Sequence, residues 1–538
     1  MKSLIIFPLI VIAISCTKKI QVDSILINAQ VYTVNDKFAI AEAFAIKDGK
    51  IVDIGSNLEI QAKYESTIVN DAKGKTVVPG FIDAHCHFFG LGLQQQKVDL
   101  SGTNSFEEVV QRIVDFQKEK NLAYITGRGW DQNDWEIKEF PTKDTLDALF
   151  PTTPVAVRRI DGHALLANQA AIDLAGVDIN TPFSGGEILQ KDGKLTGIFI
   201  DSPMDLIDAK IPEPSQKEKI QALIAAEKIC FEFGLTTVDD AGLSKETIEL
   251  IDSLHKTGSL KMRIYAMVSA SRKNIDYYSK KGIIKTDRLN VRSFKVYADG
   301  ALGSRGAAMK QAYSDQPHHF GALVTPLNDL QKIAKKIAAS TYQMNTHAIG
   351  DSANYVMLKT YKDVLKGKTD SRWRIEHAQI IDPKDFKYFD NILPSVQPTH
   401  ATSDMYWAED RIGMERMKGA YAFKDLLNHY GKVALGTDFP VEKVSPFLTF
   451  YAAVARKDLT NYPTNGFQME NALSREETLK GMTIWAAYSN FEENEKGSIE
   501  IGKMADFIIL DTNIMTIDTE KIPFIKVLET YVGGERVN

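Results

Sequence analysis

Val77-Val78-Pro79-Gly80-Phe81-Ile82-Asp83-Ala84-His85-Cys86-His87 is an apolar run, broken by Pro79-Gly80, that ends in polar residues. Such a run reads as a buried strand. Residues two apart on a strand share a face, so His85 and His87 point the same way. Two imidazoles side by side at a strand's end make half of a metal site. An isolated His-x-His pair also fits packing or surface histidines, so the rest of the chain has to supply further ligands. Cys86 faces the opposite side and reads as core packing. Asp83 shares the ligand face at greater depth and reads as a partner that orients an imidazole.

Outward from this stretch, strand-like and helix-like segments alternate, which argues a parallel sheet or barrel. Eight candidate strands are 77–87, Leu235–Asp239, Met262–Val268, Ser293–Asp299, Gln343–His347, Trp373–His377, Pro394–Thr399 and Val433–Asp438. Eight strands with intervening helices fit an α/β fold of the (β/α)8 TIM type over residues 77–440. The first connection, residues 88–232, is far longer than an ordinary βα loop. It reads as an inserted subdomain and a lid. Residues 24–76 alternate short β-like runs with turns, and Asp48-Gly49 between two apolar runs signals a hairpin. The segment Gly497–Leu510 has the same style. The two ends, 24–76 plus 441–538 (mainly 495–538), are expected to form one small β-sandwich with closing helices.

Composition excludes several classes. The 538 residues are 44% hydrophobic and 25% charged, and the net charge of −6 offers no basic face for nucleic acid. Three cysteines in so long a chain cannot be a disulfide framework. At the start, Lys2 precedes an apolar run from Leu4 to Ile14, too short to span a bilayer comfortably, so the segment reads as a signal peptide. Ala13-Ile14-Ser15-Cys16 resembles a bacterial lipobox, which makes residues 1–16 a lipoprotein signal ending at a lipidated Cys16. An ordinary cleaved signal or an uncleaved anchor is the alternative. The expectation is an exported protein of the bacterial cell envelope, touching membrane only through a lipid anchor.

In a barrel enzyme the working residues lie at the C-terminal ends of the strands. Those ends carry His85 and His87, Lys295 in Phe294-Lys295-Val296-Tyr297-Ala298-Asp299, then His347, His377 and Asp438. Four histidines, a lysine and an aspartate are thereby expected at one mouth. This set resembles the amidohydrolase superfamily. The phrases Lys295–Arg305, His347–Asp351, Arg374–Gln379 and Gly436–Val441 look like amidohydrolase family 3, the branch holding N-substituted formamide deformylase. The resemblance covers about residues 24–538.

It implies that His85 and His87 bind one divalent ion with Asp438, and His347 and His377 a second. It also implies that Lys295 becomes a carbamate bridging two ions; unmodified, the site would hold one. Neutral imidazole and carboxylate suit Zn²⁺ or a similar ion. Asp438 would take a proton from the attacking water and pass it to a leaving nitrogen. The implied reaction is hydrolysis of an amide-like C–N bond, of N-acyl or N-formyl amine type, in a small-molecule substrate. Alternatives are a lactone or cyclic-amide hydrolase, a deaminase, or a surface lipoprotein that only captures ligand. Further candidates for substrate contact are His163, Tyr297, which shares the face of Lys295, His400 just past strand seven, and Trp130. Trp130 with Trp135 reads as an aromatic wall or as the insert's own core.

Overall fold

Pro79-Gly80 divides the opening stretch between two sheets. The computed structural model describes residues 18–162, 164–183 and 186–538. Thr76–Pro79 pairs antiparallel with Phe507–Leu510 and parallel with Gln30–Tyr32. Phe81–Cys86 then begins the barrel. At the junction the Gly80 N–H donates to Asp506 O at 3.0 Å. A Cβ on Gly80 would lie 2.3 Å from the Thr236 side chain, so only glycine lets the chain pass between sheet and barrel.

The barrel strands are β1 (Phe81–Cys86), β2 (Leu235–Leu243), β3 (Arg263–Ser269), β4 (Leu289–Tyr297), β5 (Gln343–Ala348), β6 (Arg374–His377), β7 (Leu393–Val396) and β8 (Ala434–Leu435). They pair in that order, β1 to β8. Closure between β8 and β1 is made by the Asp438 N–H, which donates to His85 O at 2.7 Å. This is the expected (β/α)8 barrel, with the strand-seven candidate cut short. Pro398 cannot donate to a ladder and instead opens the helix Pro398–Asp404, which places His400 in that helix's first turn. Outer helices show the periodicity that buries one face. In Leu327–Ala338 the buried residues Leu330, Ala334, Ile337 and Ala338 recur at helical spacing.

Both chain ends build the β-sandwich. One sheet orders Lys50–Gly55, Ala43–Lys47, Ser24–Ile27 and Val69–Asp71. The other orders Glu535–Arg536, Val527–Val532, Phe507–Leu510, Thr76–Pro79, Gln30–Tyr32 and Ile40–Ala41. Asp48 and Gly49 turn the expected hairpin with φ of 51° and 72°, a two-residue turn with both angles positive. Phe44, Phe507 and Tyr531 share the core between the sheets, the last two stacked at 4.3 Å.

The chain forms two compact units: residues through Cys86 with Cys230–Gly242 and Met262–Asn538, and His87–Ile229 with Leu243–Lys261. The second holds its own six-stranded sheet, in order Val98–Asp99, Ile125–Trp130, Val155–Arg159, Ala164–Ala167, Lys194–Asp201 and Gly186–Lys191. Among the described residues no helix is long and apolar enough to cross a membrane. Cys16 and the rest of the expected leader lie outside the described residues.

Barrel and sandwich are joined by a buried bidentate pair. Arg263 donates Nε to Asp506 Oδ2 at 2.6 Å and Nη2 to Oδ1 at 2.9 Å, and each side chain is 4% exposed. Burial raises the Asp506 carboxyl, but the Arg263 charge outweighs it and leaves the pKa lowered. A carboxylate lowered in this way stabilises the fold above its unfolded pKa and ceases to do so as pH falls through the folded value. Asp506→Asn, which removes the bidentate counter-ion of the buried Arg263, is expected to lower unfolding stability by about 3–5 kcal/mol at pH 7. That margin over the variant should shrink below about pH 4. Equal denaturant midpoints at pH 7 would refute the pair's role.

Candidate metal centre

His85 is the penultimate residue of β1, and its ring is completely buried. The Nδ1–H donates to Glu376 Oε2 at 2.6 Å, which fixes the tautomer and leaves the lone pair on Nε2. That Nε2 lies 2.9 Å from Lys295 Nζ and 3.7 Å from Asp438 Oδ1. His377 ends β6, and its Nδ1–H donates to Gln397 Oε1 at 2.7 Å. The His377 ring centroid is 4.8 Å from His85 and 4.5 Å from His347. His347, penultimate on β5, has a buried Nε2 with no hydrogen-bond partner among the described residues. Its nearest charged oxygen, Asp299 Oδ1, is 3.7 Å away.

Among the described residues, two groups of side chains bring ligand atoms within 4.8 Å of one another: His85, His87 and Asp438; and His377, His400 and Asp438. His87 caps the helix Phe88–Gln94 immediately after β1. Two of these residues reach the centre through unusual backbone. His377 has φ of 70° and Asp438 has φ of 63°, a region that side chains other than glycine seldom adopt. Each costs about 1–3 kcal/mol and persists where surrounding structure overrides it.

The electrostatics favour neutral imidazoles. Burial, then the Lys295 charge, lowers the His85 pKa to about 4 and that of His347 to about 3. Burial and the neighbouring histidines push His377 well below its ordinary value. Burial also lowers Lys295 to about 8. His400 differs. Burial lowers it, but contacts from Nε2 to Asp438 Oδ2 at 3.4 Å and from Nδ1 to Glu442 Oε1 at 3.1 Å outweigh that, raising it to about 10. Neutral imidazoles with a carboxylate, one ring carrying an unpartnered buried nitrogen, are the donor chemistry of a borderline divalent cation.

Tyr297 lies beside the centre, 44% exposed, with Lys295 Nζ 5.0 Å from its ring centroid and the His347 ring at 5.6 Å. His163 lies outside the described residues. Trp130 is a correction. Its ring is 1% exposed in the insert's core against Trp135, and its Nε1–H donates to Val157 O at 2.9 Å. Both faces are consumed by packing, so it is not a wall for substrate. The expected role of Asp83 also changes. Its Oδ1 accepts the backbone N–H groups of His85 at 3.1 Å and Thr437 at 3.0 Å, and Oδ2 accepts the Thr437 hydroxyl at 2.7 Å. It holds backbone, while Glu376 orients the imidazole.

Three residues near the ligands, Glu376, Gln397 and Asp299, carry no role in the sequence pattern. Glu376 adjoins His377, and strict alternation along a strand points the two apart. Asp299 shares the parity of Lys295 and Tyr297, a signal that was there to use. Its carboxylate accepts N–H groups of Ala308, Ile349 and Gly350 at 2.8–3.0 Å, tying the segments after β4 and β5 together.

A parallel barrel with histidines, a lysine and an aspartate gathered at the C-terminal ends of its strands is the architecture of a metal-dependent hydrolase. The chain belongs to the amidohydrolase family, which it matches over residues 69–538. It is 33% identical to Protein LONG AFTER FAR-RED 3 of Arabidopsis thaliana, covering 96% of this chain and 91% of that one. It is 25% identical to N-substituted formamide deformylase of Arthrobacter pascens, covering 95% and 97%. A metal-dependent hydrolase of Pyrococcus horikoshii superposes with a TM-score of 0.77 at 28% identity, covering 92% of this chain and 99% of the other.

Asp83→Ala strips the acceptor from two buried backbone N–H groups at the β8–β1 seam. It is expected to destabilise the protein by about 2–4 kcal/mol and to lower the metal content of the purified enzyme. Unchanged thermal melting and full metal content would contradict the seam's role.

Proposed function

We propose that this chain hydrolyses an amide-like C–N bond, of the N-acyl or N-formyl amine kind, in a small-molecule substrate. The convergence of His85, His347, His377, Lys295 and Asp438 at one end of the barrel carries the reading. The similarity to N-substituted formamide deformylase supports the choice of bond. In this reading His85, His87 and Asp438 hold one divalent ion and His347 and His377 a second, with zinc the ion that best suits the donors. Lys295, lowered to about 8 by burial, presents a share of free amine near neutral pH, the form that combines with CO₂. Its carbamate would hold both ions; without it the centre takes one.

A divalent ion supplies a Lewis acid that acidifies water and polarises a carbonyl oxygen. The chain's own side chains do the rest. Asp438, with His400 Nε2 at 3.4 Å from its Oδ2, accepts the proton of the attacking water and delivers it to the leaving nitrogen. Glu376 and Gln397 keep Nε2 of His85 and His377 facing the centre. Tyr297, 44% exposed beside Lys295, and His400 form the substrate side. The leader and lipobox Cys16 support placement at a bacterial cell envelope.

A panel of amides, formamides and esters, assayed before and after chelation, tests the reading alongside metal analysis. Chelation is expected to abolish turnover and added zinc to restore it. Asp438→Asn should lower kcat by about 10²–10⁴-fold with the fold intact. Near-normal turnover in that variant, or a pure active preparation without metal, would overturn the mechanism.

A further inference from the structure

Two imidazoles at the centre are oriented by partners of different charge. His85 Nδ1 meets a carboxylate, Glu376 Oε2, at 2.6 Å, whereas His377 Nδ1 meets a neutral amide oxygen, Gln397 Oε1, at 2.7 Å. A hydrogen bond to an ionised acceptor is roughly twice as strong as one to a neutral group. It also raises the basicity of the ring's other nitrogen, the one that faces an ion.

Behind Glu376 runs a string of polar groups through the barrel interior. Arg374 Nε lies 3.3 Å from Glu376 Oε1, with both side chains fully buried. Arg374 Nη1 donates to Asp239 Oδ2 at 2.9 Å, to the Ser489 hydroxyl at 3.1 Å and to Ala84 O at 3.3 Å. With its amide oxygen turned inward, Asn345 accepts Arg374 Nε and Nη2 at 2.9 and 2.8 Å. Asn490 Nδ2 donates to Asp239 Oδ1 at 2.6 Å, which ends the string just past the helix Ile484–Ser489. Gln397 has no such backing: its Nε2 is buried with no hydrogen-bond partner among the described residues. One imidazole thus rests on a fixed, charged support and the other on a single neutral amide.

We propose that Glu376, fixed by the Arg374–Asp239–Asn490 string, is a positioning residue that makes the His85 side of the centre the tighter ion site. The proposal rests on the metal-centre reading above and adds an order of filling: the first divalent ion goes to His85, His87 and Asp438. The residues that set this order touch no ion and no substrate.

The test is full-length protein stripped of metal and titrated with zinc alone against a chromophoric chelator. Glu376→Gln keeps an acceptor for the His85 Nδ1–H but removes its charge. It is expected to weaken the first zinc ion by about 10–100-fold while leaving the affinity for any second ion unchanged. Asn490→Ala, four contacts removed from the imidazole, should weaken the first ion in the same direction by a smaller factor. It carries the test if circular dichroism shows Glu376→Gln unfolded. A merely structural role would lower melting temperature without moving zinc affinity. First-ion affinity within twofold of wild type in the folded variant, or an equal loss at both ions, would overturn the proposal. Wild-type protein that binds no zinc would instead overturn the metal-centre reading itself, so the two failures are distinguishable.

Discussion

The structure depends on keeping charged side chains satisfied inside a barrel that excludes water. Arg374, Asp239 and Glu376 are all completely buried, and Lys295 is 2% exposed. Removing ions from water costs several kcal/mol each unless geometry returns it through pairing and hydrogen bonds. Here every member of the interior string meets an opposite charge or an amide at 2.6–3.3 Å. Such a string tolerates little displacement, since shifting one strand end strands a charge on its neighbour. The register of β1, β2, β5 and β6 is therefore held by electrostatics as well as by the backbone ladder.

That rigidity is used at the mouth. β8 is only two residues long, and the chain leaves it through Gly436 and Thr437 to reach Asp438 in a left-handed conformation. A Cβ on Gly436 would lie 2.5 Å from the His85 backbone nitrogen, so the strand ends approach more closely than any larger residue permits. Asp83 bridges the same seam through three accepted hydrogen bonds. His85 consequently has its backbone fixed by Asp83 and Asp438 and its ring by Glu376. Preorganisation of this kind lets a centre meet an ion without rearranging its ligands.

Much of this was legible in the residue pattern. Alternation and strand–helix spacing placed the barrel, the hairpin at Asp48-Gly49 and the two-ended sandwich, because backbone geometry and apolar burial are local rules. The same rules put His85, His347, His377, Lys295 and Asp438 at strand ends. They failed where the backbone departs from regularity. His377 has positive φ, so Glu376 enters the barrel interior although its neighbour also faces the centre. His400 approaches Asp438 because Pro398 ends a strand and starts a helix. Trp130 fits either an aromatic wall or the insert's own core by sequence, and only the packing of the insert decides for the core.

By itself, then, the sequence determined which chemistry was on hand: imidazoles, a lysine and a carboxylate at the ends of eight strands whose alternation with helices fits a parallel barrel. Tertiary structure alone decided which atom of each imidazole is turned toward the centre, and which partner holds it there. Those choices depend on contacts between residues hundreds of positions apart, such as His85 with Glu376 at a separation of 291. No local periodicity encodes a hydrogen bond across a barrel. It follows only once the closed sheet has brought the two strands side by side and shut water out.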